Sequence, residues 1–159
     1  MLPLVIPMEL GEQGHWWADA QPRIHIEERI DEILVPVESW STSMRMWGDE
    51  DGNNAYVSYV DERRETIDEI GFRLDARSIA KDLLSKVCML TTDLGCVLLT
   101  SEYEILAPDE SMLLDAMTRS NAKRFVENPA STLQNLDRAS LQDRIKYLTK
   151  SNKKRDSHG

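Results

Sequence analysis

Residues 66–100 read TIDEIGFRLDARSIAKDLLSKVCMLTTDLGCVLLT, and two periodicities within them decide the fold. Ile70, Phe72, Leu74 and Ala76 alternate with Glu69, Gly71, Arg73 and Asp75. A period of two sends one apolar row inward and one polar row outward, which is a strand. The period then changes. Ile79, Ala80, Leu83, Leu84, Val87, Cys88 and Leu90 recur at three-to-four spacing, with Lys81, Asp82, Ser85 and Lys86 opposite. That is a helix buried along one face, and Ser78 is placed to cap its start. Asp93-Leu94-Gly95 turns the chain, and Cys96-Val97-Leu98-Leu99 is a second, short apolar strand. The other elements are expected to pack around this strand, helix and strand.

Towards the N-terminus the strand pattern continues. Met44 and Met46 alternate with Arg45 and Trp47, and Tyr56, Ser58 and Val60 alternate with Val57 and Tyr59. Gly48-Asp49-Glu50-Asp51-Gly52-Asn53 between them is dense in turn residues, so the two runs form a hairpin with a loop of about six residues. Asp61-Glu62-Arg63-Arg64 turns again into the 66–75 strand, completing a three-strand antiparallel meander. Residues 23–37 carry two patterns. Ile24 and Ile26 alternate with Arg23 and His25, whereas Ile26, Ile30, Ile33, Leu34 and Val37 match a helical face that Pro36 would end. The favoured expectation is a strand over Arg23–Glu28 and extended chain over Ile33–Val37. Pro3, Pro7, Gly11, Gly14 and Pro22 punctuate residues 1–22, which read as an irregular arm.

Towards the C-terminus, Ala107-Pro108-Asp109-Glu110 opens a helix, with proline before the first turn and acids at the positive end of the dipole. Met112, Leu113, Ala116 and Met117 form its apolar face, and Ala122, Phe125 and Val126 continue it with a shift. A break is expected near Arg119–Asn121, and Asn128-Pro129 stops the pattern. A short helical turn over Ser131–Leu136 and a last helix on Leu141, Ile145 and Leu148, opened by Ser140-Leu141-Gln142-Asp143, follow. The fold class is α+β: an antiparallel sheet of about four to five strands, with C-terminal helices packed on one face. The predicted organisation is an arm at 1–22, a single domain at 23–150 and a disordered basic tail at 151–159.

At 159 residues the chain is long enough to bury a core without staples. Its mean hydropathy is −0.45 and 30% of its residues are charged. The net charge of −9 is unevenly spread. Residues 1–137 carry −14 and residues 138–159 carry +5. An acidic body repels a phosphate backbone, which disfavours nucleic acid as the partner. A nucleic-acid contact would fall to Lys146, Lys150, Lys153, Lys154 and Arg155 near the C-terminus. Cys88 and Cys96 both fall at apolar positions and read as buried thiols in a reducing compartment. Met1–Pro7 lacks a basic start, and no run approaches the ~20 apolar residues of a membrane span. A cytoplasmic protein with no membrane association is the expectation.

Chemistry-bearing motifs are absent. His15, His25 and His158 have no metal-ligand spacing, so no metal or cofactor is expected. No phosphate-binding glycine loop and no nucleophile elbow occurs. Asp49-Glu50-Asp51-Gly52-Asn53 has alternating oxygens, but a calcium loop would need glycine at its sixth position and glutamate at its twelfth, where Asn54 and Val60 stand. What remains is a candidate binding surface. Trp16 and Trp17 are adjacent indoles in a polar context, and Trp is enriched at binding hot spots. Arg45, Trp47, Tyr59 and Arg73 would share one outward sheet face if the hairpin pairs as expected.

In size, charge and α+β layout the chain resembles the small acidic cytosolic immunity proteins that block bacterial toxins. The expected function is a non-enzymatic protein-binding module docking a basic partner, with charge complementarity speeding the encounter. The alternative is a small metal-independent hydrolase using carboxylates and His25 or His15 in a cleft between sheet and helices.

Overall fold

The computed structural model describes residues 4–7, 17, 21–22 and 25–131. The chain divides into two units, Met1–Ser120 and Asn121–Gly159. Among its described residues the first contains seven strands, β1 (Leu4–Pro7), β2 (Pro36–Val37), β3 (Met44–Gly48), β4 (Asn54–Tyr59), β5 (Ile67–Arg73), β6 (Cys96–Leu99) and β7 (Ile105–Leu106), and three helices, α1 (Ile26–Asp31), α2 (Lys81–Asp93) and α3 (Glu110–Arg119). The strands form one sheet in the order β2-β3-β4-β5-β1-β6-β7, antiparallel at every pairing.

The α+β class and the meander β3-β4-β5 are as the periodicities predict. The sheet is wider than four to five strands for two reasons. Short pairs, β2 and β7, finish its two edges, and β1 enters its middle. Since β1 runs antiparallel to both β5 and β6, those two strands run parallel to each other, joined by α2. The strand–helix–strand stretch is therefore a split βαβ unit with β1 inserted between its strands. Leu4–Pro7 is thus a strand within the stretch expected to be irregular.

Register explains the core. Arg45, Val57, Ile70, Val5, Leu98 and Leu106 stand opposite one another in turn across the sheet. Residues directly opposite share a face, so this is a single row, and its five apolar members are all buried. Trp47, Ala55 and Phe72 make a second buried row. Ile26 and Ile30 of α1, Leu83, Leu84, Val87, Cys88 and Leu90 of α2, and Leu113, Ala116 and Met117 of α3 complete the same core. The inward set read from the sequence, Ile70, Phe72, Leu74 and Ala76, is buried throughout.

Two local expectations need correction. Residues 26–31 form a helix, not a strand: Ile26 and Ile30, one turn apart, both reach the core, and Glu27 and Glu28 lie in the first turn where the dipole favours acids. Pro36 and Val37 do pair, at the edge. Helix α2 starts from Ala80, whose side chain makes no cap bond, and not from Ser78. Gly95 follows α2 with φ 65°, a conformation that favours glycine, and donates to Thr92 O at 2.9 Å. Asp109 caps α3, its carboxylate accepting from Ser111 N at 2.9 Å and Met112 N at 3.0 Å. Both cysteines are buried free thiols. No helix among the described residues is long and apolar enough to cross a membrane.

The second unit begins where the sequence predicts a break. Ser120 is extended (φ −64°, ψ 151°) after α3, and α4 (Asn121–Glu127) follows with a Lys123–Glu127 ion pair at 3.5 Å. The helix on Leu141, Ile145 and Leu148 and the basic tail lie outside the described residues.

Candidate binding surface

The expected surface residues part company in three directions. Trp16 lies outside the described residues. Trp17 is in the core, 2% exposed. Its carbonyl accepts Gln21 Nε2 at 2.5 Å, and the Gln21 amide also bonds both backbone groups of Ile67, at 2.8 and 2.9 Å. One glutamine side chain thus fastens the Trp17 turn to the start of β5.

Arg45, Trp47 and Tyr59 do come together, but on the inward face. Trp47 is fully buried and Tyr59 is 8% exposed. Trp47 Nε1 donates to Asp31 Oδ1 at 2.6 Å, and Tyr59 OH donates to Glu27 Oε1 at 2.6 Å. Arg45 Nε lies 3.4 Å from Glu27 Oε2, and its guanidinium stands 5.9 Å from the Trp47 ring centroid. These polar tips all meet α1 and fix it on the sheet. Burial, together with the Glu27 bond and charge, pushes the Tyr59 hydroxyl well above its ordinary range, so it remains a donor. Arg73 stands opposite Asn54, in the other alternation, and donates to Glu50 O at 2.7 Å. The proposed Arg–Trp–Tyr–Arg patch is therefore split between two faces.

Beside Tyr59 a cleft of about 380 Å³ brings together Gln21, His25, Glu27, Glu28, Arg64 and Glu65. His25 is exposed, and Glu27 is held by Tyr59 and Arg45.

The outward face is built from the alternate rows. Val37, Met46, Tyr56 and Gly71 stand opposite one another, and Met44 opposes Ser58 and then Glu69. Tyr56 lies across Gly71, where any Cβ would meet its ring, and its hydroxyl donates to the Glu69 carboxylate. At the β2 edge this face opens into a groove of about 550 Å³ lined by Val37, Trp40, Met46, Asn54, Glu38 and Glu50, with Asp49 alongside. Trp40 is 78% exposed, Val35 74% and Val37 42%.

Trp40 is presented, not merely left out. Its loop is turned on itself by serines: Ser39 Oγ accepts from Ser41 N, Ser41 Oγ accepts from Ser43 N, both at 3.3 Å, and the Ser41 and Ser43 hydroxyls bond at 3.1 Å. Arg64 Nε braces the loop by donating to Thr42 O at 2.8 Å. Sequence reasoning missed Trp40, although an isolated indole among Glu38, Ser39, Ser41, Thr42 and Ser43, outside any apolar period, was the signal available. The chain matches no family model, no curated protein and no solved structure.

Proposed function

We propose that the chain is a non-enzymatic protein-binding module that docks a basic partner, in the manner of an acidic immunity or inhibitor protein. The observation that carries this reading is Trp40: a large indole, 78% exposed, on a hydrogen-bonded loop beside exposed Val35 and Val37. An exposed apolar patch rimmed by polar groups is the usual form of an interaction site, and Trp anchors supply much of the binding energy at such sites. The carboxylates of Glu38, Asp49 and Glu50 along the groove, and a net charge of −9, select a basic surface. Affinity capture from the source lysate tests it. A stoichiometric basic protein retained at low salt and released at high salt is expected; a blank at low salt overturns the reading.

The cleft that joins His25 to Glu27, Glu28 and Glu65 favours a second reading, a small metal-independent hydrolase. Turnover of a panel of ester and glycoside model substrates, abolished by His25→Ala and Glu27→Gln alike, would support it. A rate equal to buffer removes it.

A further inference from the structure

We propose that the Trp40 groove receives an arginine side chain from a basic peptide segment of the partner. This deepens the binding-module reading and rests on it.

The groove offers the parts an arginine uses. Its lining combines the aromatic Trp40, the apolar Val37 and Met46, and the acidic Glu38 and Glu50. A planar guanidinium stacks on an indole while its edge still donates to a carboxylate, which a lysine ammonium cannot do in the same way. The molecule already uses this pairing internally, where Arg45 stands over Trp47 and beside Glu27. Among the described residues neither Glu38 nor Glu50 is in an ion pair. The arginines nearest the β3–β4 loop are spent on its backbone, Arg73 on Glu50 O and Arg77 on Asp51 O. About 550 Å³ exceeds one side chain, so the flanking peptide is accommodated as well.

The edge itself argues that side chains, and not a paired strand, are read. Gly48 N donates to Val35 O at 2.8 Å, so Val35 bonds inward. By alternation Pro36 turns its backbone outward, and proline has no N–H to offer an added strand.

The test is a titration of the full chain with a labelled ten-residue Gly-Ser peptide carrying two arginines, beside versions carrying citrulline or lysine. Binding of the arginine peptide is expected to weaken about tenfold or more in Trp40→Ala and about three- to tenfold in Glu38→Gln. Asp82→Asn, which changes net charge equally but lies on α2, should stay within about twofold of wild type. The citrulline peptide should not bind. The proposal is overturned if wild type ignores the arginine peptide, if Trp40→Ala binds it unchanged, if Asp82→Asn weakens it as much as Glu38→Gln, or if citrulline or lysine serves equally. It is also overturned if sedimentation shows a dimer that Trp40→Ala dissociates, since the groove would then hold a second copy. Capture of one basic partner by wild type and Trp40→Ala alike leaves the module reading standing and removes only this site. Capture by neither removes both.

Discussion

Replacing Trp47 with phenylalanine should destabilise the fold by about 2–3 kcal/mol. Trp47 is fully buried in the row it shares with Ala55 and Phe72. Losing the second ring leaves a void on the order of 40 Å³, worth about 1 kcal/mol at the usual cost per unit cavity volume. The indole N–H also donates to the Asp31 carboxylate at 2.6 Å. A hydrogen bond to a charged group contributes about 1.5–3 kcal/mol. Asp31 is exposed and can be rehydrated, so about 1–2 kcal/mol is the appropriate share. Urea denaturation of Trp47→Phe should show a lowered midpoint with an unchanged slope, and the melting temperature should fall by about 4–12 °C. Asp31→Ala should cost less than Trp47→Phe, because it also removes an acid from the C-terminal end of α1. The double variant should show a coupling of about 1 kcal/mol. A Trp47→Phe midpoint within about 0.5 kcal/mol of wild type would refute the argument that this bond and this packing fasten α1 to the sheet.

Burial pushes the thiols of Cys88 and Cys96 up to about 11, with Glu110 and Asp109 adding to the effect at Cys88; both should react with a disulfide reagent at pH 8 far more slowly in the native protein than in guanidinium. The Tyr56 and Tyr59 hydroxyls are also raised, so the folded state keeps protons that the unfolded state releases; stability should be full below about pH 8.5 and decline from there through pH 11, and a flat profile in urea melts over that range would contradict this. Gly48 has φ 87° and a Cβ there would strike Asn53 O, whereas Gly95 has φ 65° and open space; Gly48→Ala should cost about 2–4 kcal/mol and Gly95→Ala about 1 kcal/mol by chemical denaturation. Asp109→Ala removes the cap of α3 and should lower the melting temperature by about 2–4 °C in calorimetry.

The parts legible from sequence are those whose burial pattern is local. Ile70, Phe72, Leu74 and Ala76 are all buried, the helix on Leu83, Leu84 and Val87 forms, and the chain breaks at Ser120. What failed depended on partners distant in sequence. Ile26 belongs to both patterns, and only tertiary contacts, with Trp47 bonded to Asp31 and Tyr59 to Glu27, select the helix. In β3 the apolar reading favoured Met44 and Met46 as the inward pair, which put Arg45 and Trp47 outside. Gly48 pairs with Asn54, leaving a loop of residues 49–53, and this register places Trp47 opposite Ala55 and Phe72. Arg45, Trp47 and Tyr59 keep the common face expected of them, but the pairing of β4 with β5 sets that face with Ile70 and Phe72 and not with Arg73, so it is the inward one and the expected patch dissolved. Arg45 escapes a hydrophobic reading altogether because its charge is met by Glu27 from another element.

The position of β1 has a consequence for the order of assembly. The strand synthesised earliest is the one whose neighbours, Ile67–Arg73 and Cys96–Leu99, are made last among the sheet's long pairings. Until both exist, residues 4–7 have no ladder to join, and the meander and the β6–β7 hairpin remain separate pieces. Closing that gap joins chain segments about 65 to 95 positions apart, so it belongs to the slow, non-local class of folding steps. Fusing a bulky partner directly to Leu4, or removing residues 1–7, should therefore arrest folding at two half-sheets rather than trim an ornament from a finished one.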